Sequence, residues 1–133
     1  MDYESTLREQ EALREAIQRL REAVESSNPE IGHALKEMLT SVTAHFKMEE
    51  DEGFFNEIVL EHPELDARAR RIERQHEVLL ACFVGLVNDS QSGTRVGELA
   101  PQIISALDAL KAHESAEFSL LQDSLLVDIG PGD

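Results

Sequence analysis

Two residue pairs in this chain have the types and spacing of a cation site. In "TAHFKMEEDEGFF" (Thr43 to Phe55) His45 precedes Glu49 by four positions, and in "HESAEFSLL" His113 precedes Glu117 by the same interval. On a helix that interval is one turn, about 6 Å along the axis and on one face, so each imidazole lies beside a carboxylate. Such a pair can hold a cation only if its face points into the protein, which depends on the helices that carry it.

Apolar residues recur at helical spacing along most of the chain. Residues from about 2 to 26 place Leu7, Leu13, Ile17, Leu20 and Val24 on one face of an amphipathic helix. In "SSNPE", Ser27 or Asn28 can cap and Pro29 can open a second helix that runs to about Phe55 with the stripe Leu35, Met38 or Leu39, Val42. An irregular link reaches "EHPELD", and a third helix to about Val87 carries Ile72, Leu79, Leu80, Phe83 and Val87. "NDSQSGT" reads as a turn. The fourth helix begins between Thr94 and Pro101, with Pro101 in a first turn or at a kink, and passes through Leu107, Leu110, Leu120 and Leu121 to about Leu126. No run alternates with period two for long enough to make a sheet. The pattern predicts an all-α, antiparallel up-down-up-down four-helix bundle over residues 1–127, with 128–133 as a flexible C-terminal tail.

Continuing each stripe shows what interrupts it. In the second helix Met38, Val42, His45 and Glu49 form one series, and in the fourth Ala106, Leu110, His113, Glu117 and Leu121 form another. His76 falls on the third helix's series after Ile72, and Gln10 on the first helix's series Leu7, Gln10, Leu13, Ile17. Buried carboxylates and imidazoles are costly unless paired, so His45, Glu49, His76, His113 and Glu117 need a positive centre or a hydrogen-bonded network. Three imidazoles with two carboxylates suit a transition metal, iron first, with zinc also compatible. The competing reading is that Arg14 or Arg74 leans inward to neutralise the acids and each histidine is a hydrogen-bonded core residue. His33 and His62 match no inward series and read as surface or capping residues. Glu50, Asp51 and Glu52 read as solvated, with Glu52 also placed to orient a ligand. Phe46, Phe54, Phe55, Phe83 and Phe118 read as packing residues.

Composition narrows the partners. A chain of 133 residues suits one domain, and 12 Lys and Arg against 27 Asp and Glu leave a net charge of -15. That balance disfavours nucleic acid phosphates and anionic lipid and favours cationic partners or metal. The single cysteine, Cys82, excludes an internal disulfide framework and a multi-cysteine metal site and reads as a small buried hydrophobe. No segment approaches 18 uninterrupted apolar residues, and "MDYESTLREQE" is not an export signal, so a soluble cytoplasmic protein with no membrane partner is expected.

"HFKMEEDEGFF" and "HESAEFSLL" resemble the hemerythrin-like family, also called HHE cation-binding domains, over nearly the whole chain. The resemblance implies a four-helix bundle with an iron pair held by histidines and two bridging carboxylates, in proteins that bind or sense oxygen or iron or protect against oxidative and nitrosative stress. It assigns His45 and Glu49, His76, and His113 and Glu117 as ligands, with Glu49 and Glu117 as the bridges. Gln10 stands where the family's first-helix histidine is expected, and Ile72 takes the second histidine position of the third helix. Gln10 as a weak amide ligand and Glu73 as a substitute are the compensations that the sequence offers. A single "ERQH" (Glu73 to His76) falls short of the paired motif of ferritin-like bundles. The resulting expectation is a non-haem iron protein, di-iron or ligand-depleted, binding or sensing dioxygen or a related small molecule. Mononuclear iron or zinc and a homodimer are compatible with it. Oxidoreductase chemistry is also compatible, but no catalytic residue is identifiable and an enzyme is not expected. The alternative is a metal-free degenerate relative acting as a partner-binding or dimerising bundle.

Overall fold

The computed structural model describes residues 3–26 and 29–128. The caps expected at Ser27 or Asn28, the burial of Leu7 and the tail after residue 128 lie outside the described residues. Among the described residues five α-helices follow one another: α1 (Tyr3–Glu25), α2 (Ile31–Asp51), α3 (Phe54–Glu61), α4 (Asp66–Gln91) and α5 (Val96–Asp128), with a 3-10 turn at Pro63–Leu65 between α3 and α4. Among the described residues there is no strand, and no helix is long and apolar enough to cross a membrane.

Cross-links between the long helices give their directions. Arg19 of α1 bonds Glu37 of α2. Ser90 lies against Gly32, while His76 contacts Glu50 near the other end of α2. Arg68 bonds Ser119, and Gln75 meets His113. Residue numbers therefore fall along α4 as they rise along α2 or α5, and connections of a few residues leave no other course for α1 and α2. The bundle is up-down-up-down, with α1 on α2, α2 on α4, α4 on α5, and α5 closing on α1 in the loosest of the four seams.

The second helix was expected to run to about Phe55, but it ends at Asp51. Gly53 takes φ +72°, a left-handed conformation that a side chain would strain. Its amide bonds Glu50 O at 3.2 Å and its carbonyl accepts from Glu57 N at 2.8 Å, so one residue closes α2 and opens α3. The expected irregular link is thus the helix α3, which turns Phe55 and Ile58 inward. The "NDSQSGT" turn is shorter than expected: α4 continues to Gln91, and the chain reverses at Gly93 with φ +87°. Pro101 lies one turn inside α5, where it forgoes a single helical bond.

Buried apolar residues form two clusters. The larger contains Leu20, Leu35, Met38, Val42, Phe46, Leu79, Phe83, Ile103 and Leu110 among others; the smaller is Phe55, Ile58, Ala69, Ile72 and Leu120. At roughly 1.5–3 kcal/mol for each large side chain fully buried, the larger cluster is the main driving force of folding. Cys82, expected inside, is exposed, because it falls on the outer side of the α4 stripe set by Leu79, Phe83 and Leu86. Leu121, expected on the inner α5 stripe, is also exposed, and Leu120 takes the buried place.

Gly53 and Gly85 make a paired test of this backbone reading. A Cβ at either position meets nothing within 4 Å, but only Gly53 has positive φ. Gly53→Ala should destabilise by about 1 kcal/mol, whereas Gly85→Ala, inside α4, should stabilise by about 0.5–1 kcal/mol. Denaturant unfolding of both variants reads the opposite signs.

Candidate metal centre

Between the two apolar clusters lies a polar layer. His45 and Glu49 follow Val42 on α2, His76 stands between Ile72 and Leu79 on α4, and His113 and Glu117 stand between Leu110 and Leu120 on α5. All five side chains are buried: His45 is 3% exposed, Glu49 9%, His76 1%, His113 2% and Glu117 5%. The helical stripes thus bring together the five residues that their spacing singled out.

Their donor atoms converge. His45 Nε2 is 3.3 Å from Glu49 Oε1, His76 Nε2 is 3.6 Å from Glu49 Oε1, and His113 Nε2 is 3.0 Å from Glu117 Oε1. Glu49, His76, His113 and Glu117 form one set whose ligand atoms lie within 4.8 Å of one another, and His45, Glu114 and Glu117 form a second. Glu117 belongs to both. The Nε2 atoms of all three histidines, Oε1 of Glu49 and of Glu114, and both oxygens of Glu117 are buried without a hydrogen-bond partner.

The outer nitrogens fix the imidazoles. His76 donates from Nδ1 to Glu50 Oε1 at 3.2 Å, and His113 donates from Nδ1 to Gln75 Oε1 at 2.7 Å. In neutral rings this tautomer leaves the Nε2 lone pair facing the carboxylates, the arrangement of a metal-ligating histidine held by a neighbouring acceptor. Phe46 stacks on His76 with ring centroids 4.0 Å apart and an interplanar angle of 7°. The same ring meets His113 edge-on at 5.3 Å and His45 at a tilt at 5.9 Å, so one aromatic ring touches all three imidazoles. At 3.0 Å the His113 lone pair and the Glu117 oxygen repel unless a proton or cation lies between them. The donor set therefore fits a cation on the structure's own terms.

Burial, then the facing Glu117 carboxylate, pushes the Glu49 carboxyl up to about 10. Burial, then the charge of Glu114, raises Glu117 to about 7, against an opposing contribution from Glu49. For His76 burial dominates and holds the imidazole below its usual range, despite Glu50; burial also lowers His113. Burial would lower His45 as well, but Glu114, Glu49 and Glu9 together outweigh it and raise the group.

These directions set a pH dependence for the metal-free protein. A raised carboxyl keeps its proton in the folded state after the unfolded chain has lost it, so stability falls as pH rises toward the folded pKa. The lowered histidines act oppositely, but only up to their ordinary value of 6.5. Above 6.5, Glu49, Glu117 and His45 remain as the groups that lose stability with rising pH, Glu117 until about 7 and Glu49 until about 10. Thermal midpoints of metal-free protein should therefore fall from about pH 6.5 to 9, and Glu49→Gln should flatten the profile. A wild-type profile flat across that window would contradict the buried carboxyl.

Other expectations are corrected. Gln10 is exposed and lines a groove together with His45, Glu49 and Glu117. Glu73 pairs with Arg70 Nη1 at 3.0 Å on the surface and is not among the converging donors. Ile72 packs with Phe55, Ile58, Ala69 and Leu120, so the position expected for a second α4 histidine is apolar core. Arg14 and Arg74, considered as neutralising partners, are both exposed. His62, expected at the surface, is 4% exposed, with Nδ1 3.4 Å from Glu64. His33 is exposed beside Glu37 as expected. Glu50, expected to be only solvated, also holds His76. Phe118, expected in the packing, is 62% exposed.

Glu114 and Gln75 were not foreseen. Glu114 Oε1 is 3.2 Å from His45 Nε2. The available signal was its spacing of three from Glu117, which puts both acids on one side of α5. Gln75 precedes His76 and carried no signal, because its role is toward the neighbouring helix. His45, Glu49, Glu114 and Glu117 line a groove of about 620 Å³ in the α1–α5 seam, with Leu13, Ile17, Phe118 and Leu121 on its walls.

A four-helix bundle with inward histidines and glutamates on three of its helices defines a carboxylate-histidine cation-binding protein. The family described as Hemerythrin HHE cation binding domain matches residues 1–122, and the chain belongs to that family. No characterised protein and no solved structure is similar enough to this chain to add a relative to that match.

Proposed function

We propose that this chain is a non-haem iron protein of the hemerythrin type, in which His45, Glu49, His76, His113 and Glu117 hold an iron pair and the centre binds or senses dioxygen or a related small molecule. The observation that carries the reading is the set of buried Nε2 and carboxylate atoms left without hydrogen-bond partners at the meeting point of three helices. Groups so placed cost several kcal/mol unless an ion or protons compensate them. Mixed imidazole and carboxylate donors suit iron, and the family is one of cation-binding domains.

When bound, iron would supply reversible small-molecule coordination and redox chemistry. The chain's own residues do the rest. Glu50 and Gln75 hold the Nδ1 protons of His76 and His113 so that each Nε2 faces inward. Phe46 and Phe55 pack on His76 and screen that side from water. The groove offers a small molecule an apolar path to the opposite side, where His45 and Glu49 lie.

Protein purified without chelators should contain about two irons per chain and should show a near-ultraviolet oxo-to-iron band that changes on exposure to air. Less than about a tenth of an equivalent of any transition metal, even after anaerobic iron loading, would instead leave a metal-free helical bundle.

Replacement of two buried histidines separates site from scaffold. His76→Ala should weaken iron binding by at least about tenfold. His62→Ala, which removes a partner of Glu64, should lower thermal stability while leaving iron content unchanged. Equal iron retention in the two variants would remove His76 from the site.

A further inference from the structure

We propose that Glu114 is a cation ligand, and that with His45 and Glu117 it forms a groove-side position unequal to the interior one. The inference rests on the metal-binding reading above and goes beyond it, since Glu114 matches no ligand implied by the family resemblance and occupies no inward stripe.

Three features of Glu114 support the assignment. Its Oε1 is 3.2 Å from His45 Nε2, it shares a compact donor set with His45 and Glu117, and that oxygen is buried without a hydrogen-bond partner. Its side chain as a whole is 35% exposed and lines the groove, so the carboxylate reaches in from the seam. His45 gives the site independent support: it is 3% exposed, and neither ring nitrogen makes a hydrogen bond. On α1, at the position where the resemblance leads one to expect a histidine, Gln10 is exposed. Glu114 meets the same imidazole from α5.

The two positions differ in chemistry and in preparation. The interior set has two imidazoles and two carboxylates, and both imidazoles are fixed through Nδ1 by Glu50 and Gln75. In the groove-side set one imidazole stands with two carboxylates, and His45 Nδ1 has no acceptor to orient it. Fewer nitrogen donors favour harder, oxygen-preferring divalent cations, and the lack of an orienting partner weakens affinity. All three groove-side residues line the open groove, whereas His76 and His113 do not. The interior position therefore fills first and holds its ion. The groove-side position fills second, exchanges faster and accepts Mn²⁺ more readily than the interior one does.

Anaerobic calorimetric titration of metal-free protein with Fe²⁺, and separately with Mn²⁺, tests this. Wild type should take up two equivalents of Fe²⁺ with affinities at least about tenfold apart. Both Glu114→Ala and Glu114→Gln should keep the tighter equivalent and weaken the second by about tenfold or more. Glu61→Ala, a groove-lining acid outside both donor sets, should keep both, and circular dichroism should show every variant helical. With interior Fe²⁺ in place, Mn²⁺ should bind wild type but not Glu114→Ala. Two unchanged equivalents in the Glu114 variants would overturn the inference while sparing the metal-binding reading, and a single equivalent in wild type would overturn both the inference and the iron pair. Failure of wild type to bind either cation would overturn that reading itself.

Discussion

The constraint on which this structure turns is the burial of two carboxylates and three imidazoles in one layer of a helical bundle. Apolar packing could close the bundle without them, and the residues before and after each of them along the stripes do so. The polar layer interrupts that packing at one level, between the larger cluster and the smaller one. Its donors approach to 3.0–3.6 Å without forming hydrogen bonds. Protons can relieve this only partly, as the raised carboxyls of Glu49 and Glu117 show. A cation relieves it fully, because one positive centre satisfies lone pairs from several helices at once.

The layer is held from outside as well as from within. Glu50 and Gln75 fix two tautomers, Phe46 sets two ring planes, and α3, made possible by Gly53, supplies Phe55 against His76. The hold is one-sided. Toward α4 the donors meet stacked aromatics and apolar core, while toward the α1–α5 seam they meet a groove and Glu114. A site built this way has a packed inner wall and an accessible outer one.

Much of this was legible in the residues alone. A helical period specifies which side chains share a face, so the four long helices, their stripes and the inward positions of His45, Glu49, His76, His113 and Glu117 all followed from spacing. The same logic failed where a residue's place depends on local backbone or on an edge. Gly53 breaks a stripe that otherwise continues, so α3 was missed. Cys82 and Leu121 lie one step off the centre of a buried face and turned out exposed, and His62, between α3 and the following turn, turned out buried.

By itself, then, the sequence determined the class of the fold and the five central donors, because angular position around a helix is set by residue number and buried charge needs compensation wherever it occurs. The tertiary structure alone decided what surrounds them. It left Gln10 exposed along the groove and Glu73 on Arg70, brought Glu50 and Gln75 to the outer nitrogens, and set Glu114 against His45. Those relations cross from one helix to another, and they depend on the rotation and separation of neighbouring helices and on the reach of flexible side chains, none of which is encoded in the period of any single helix.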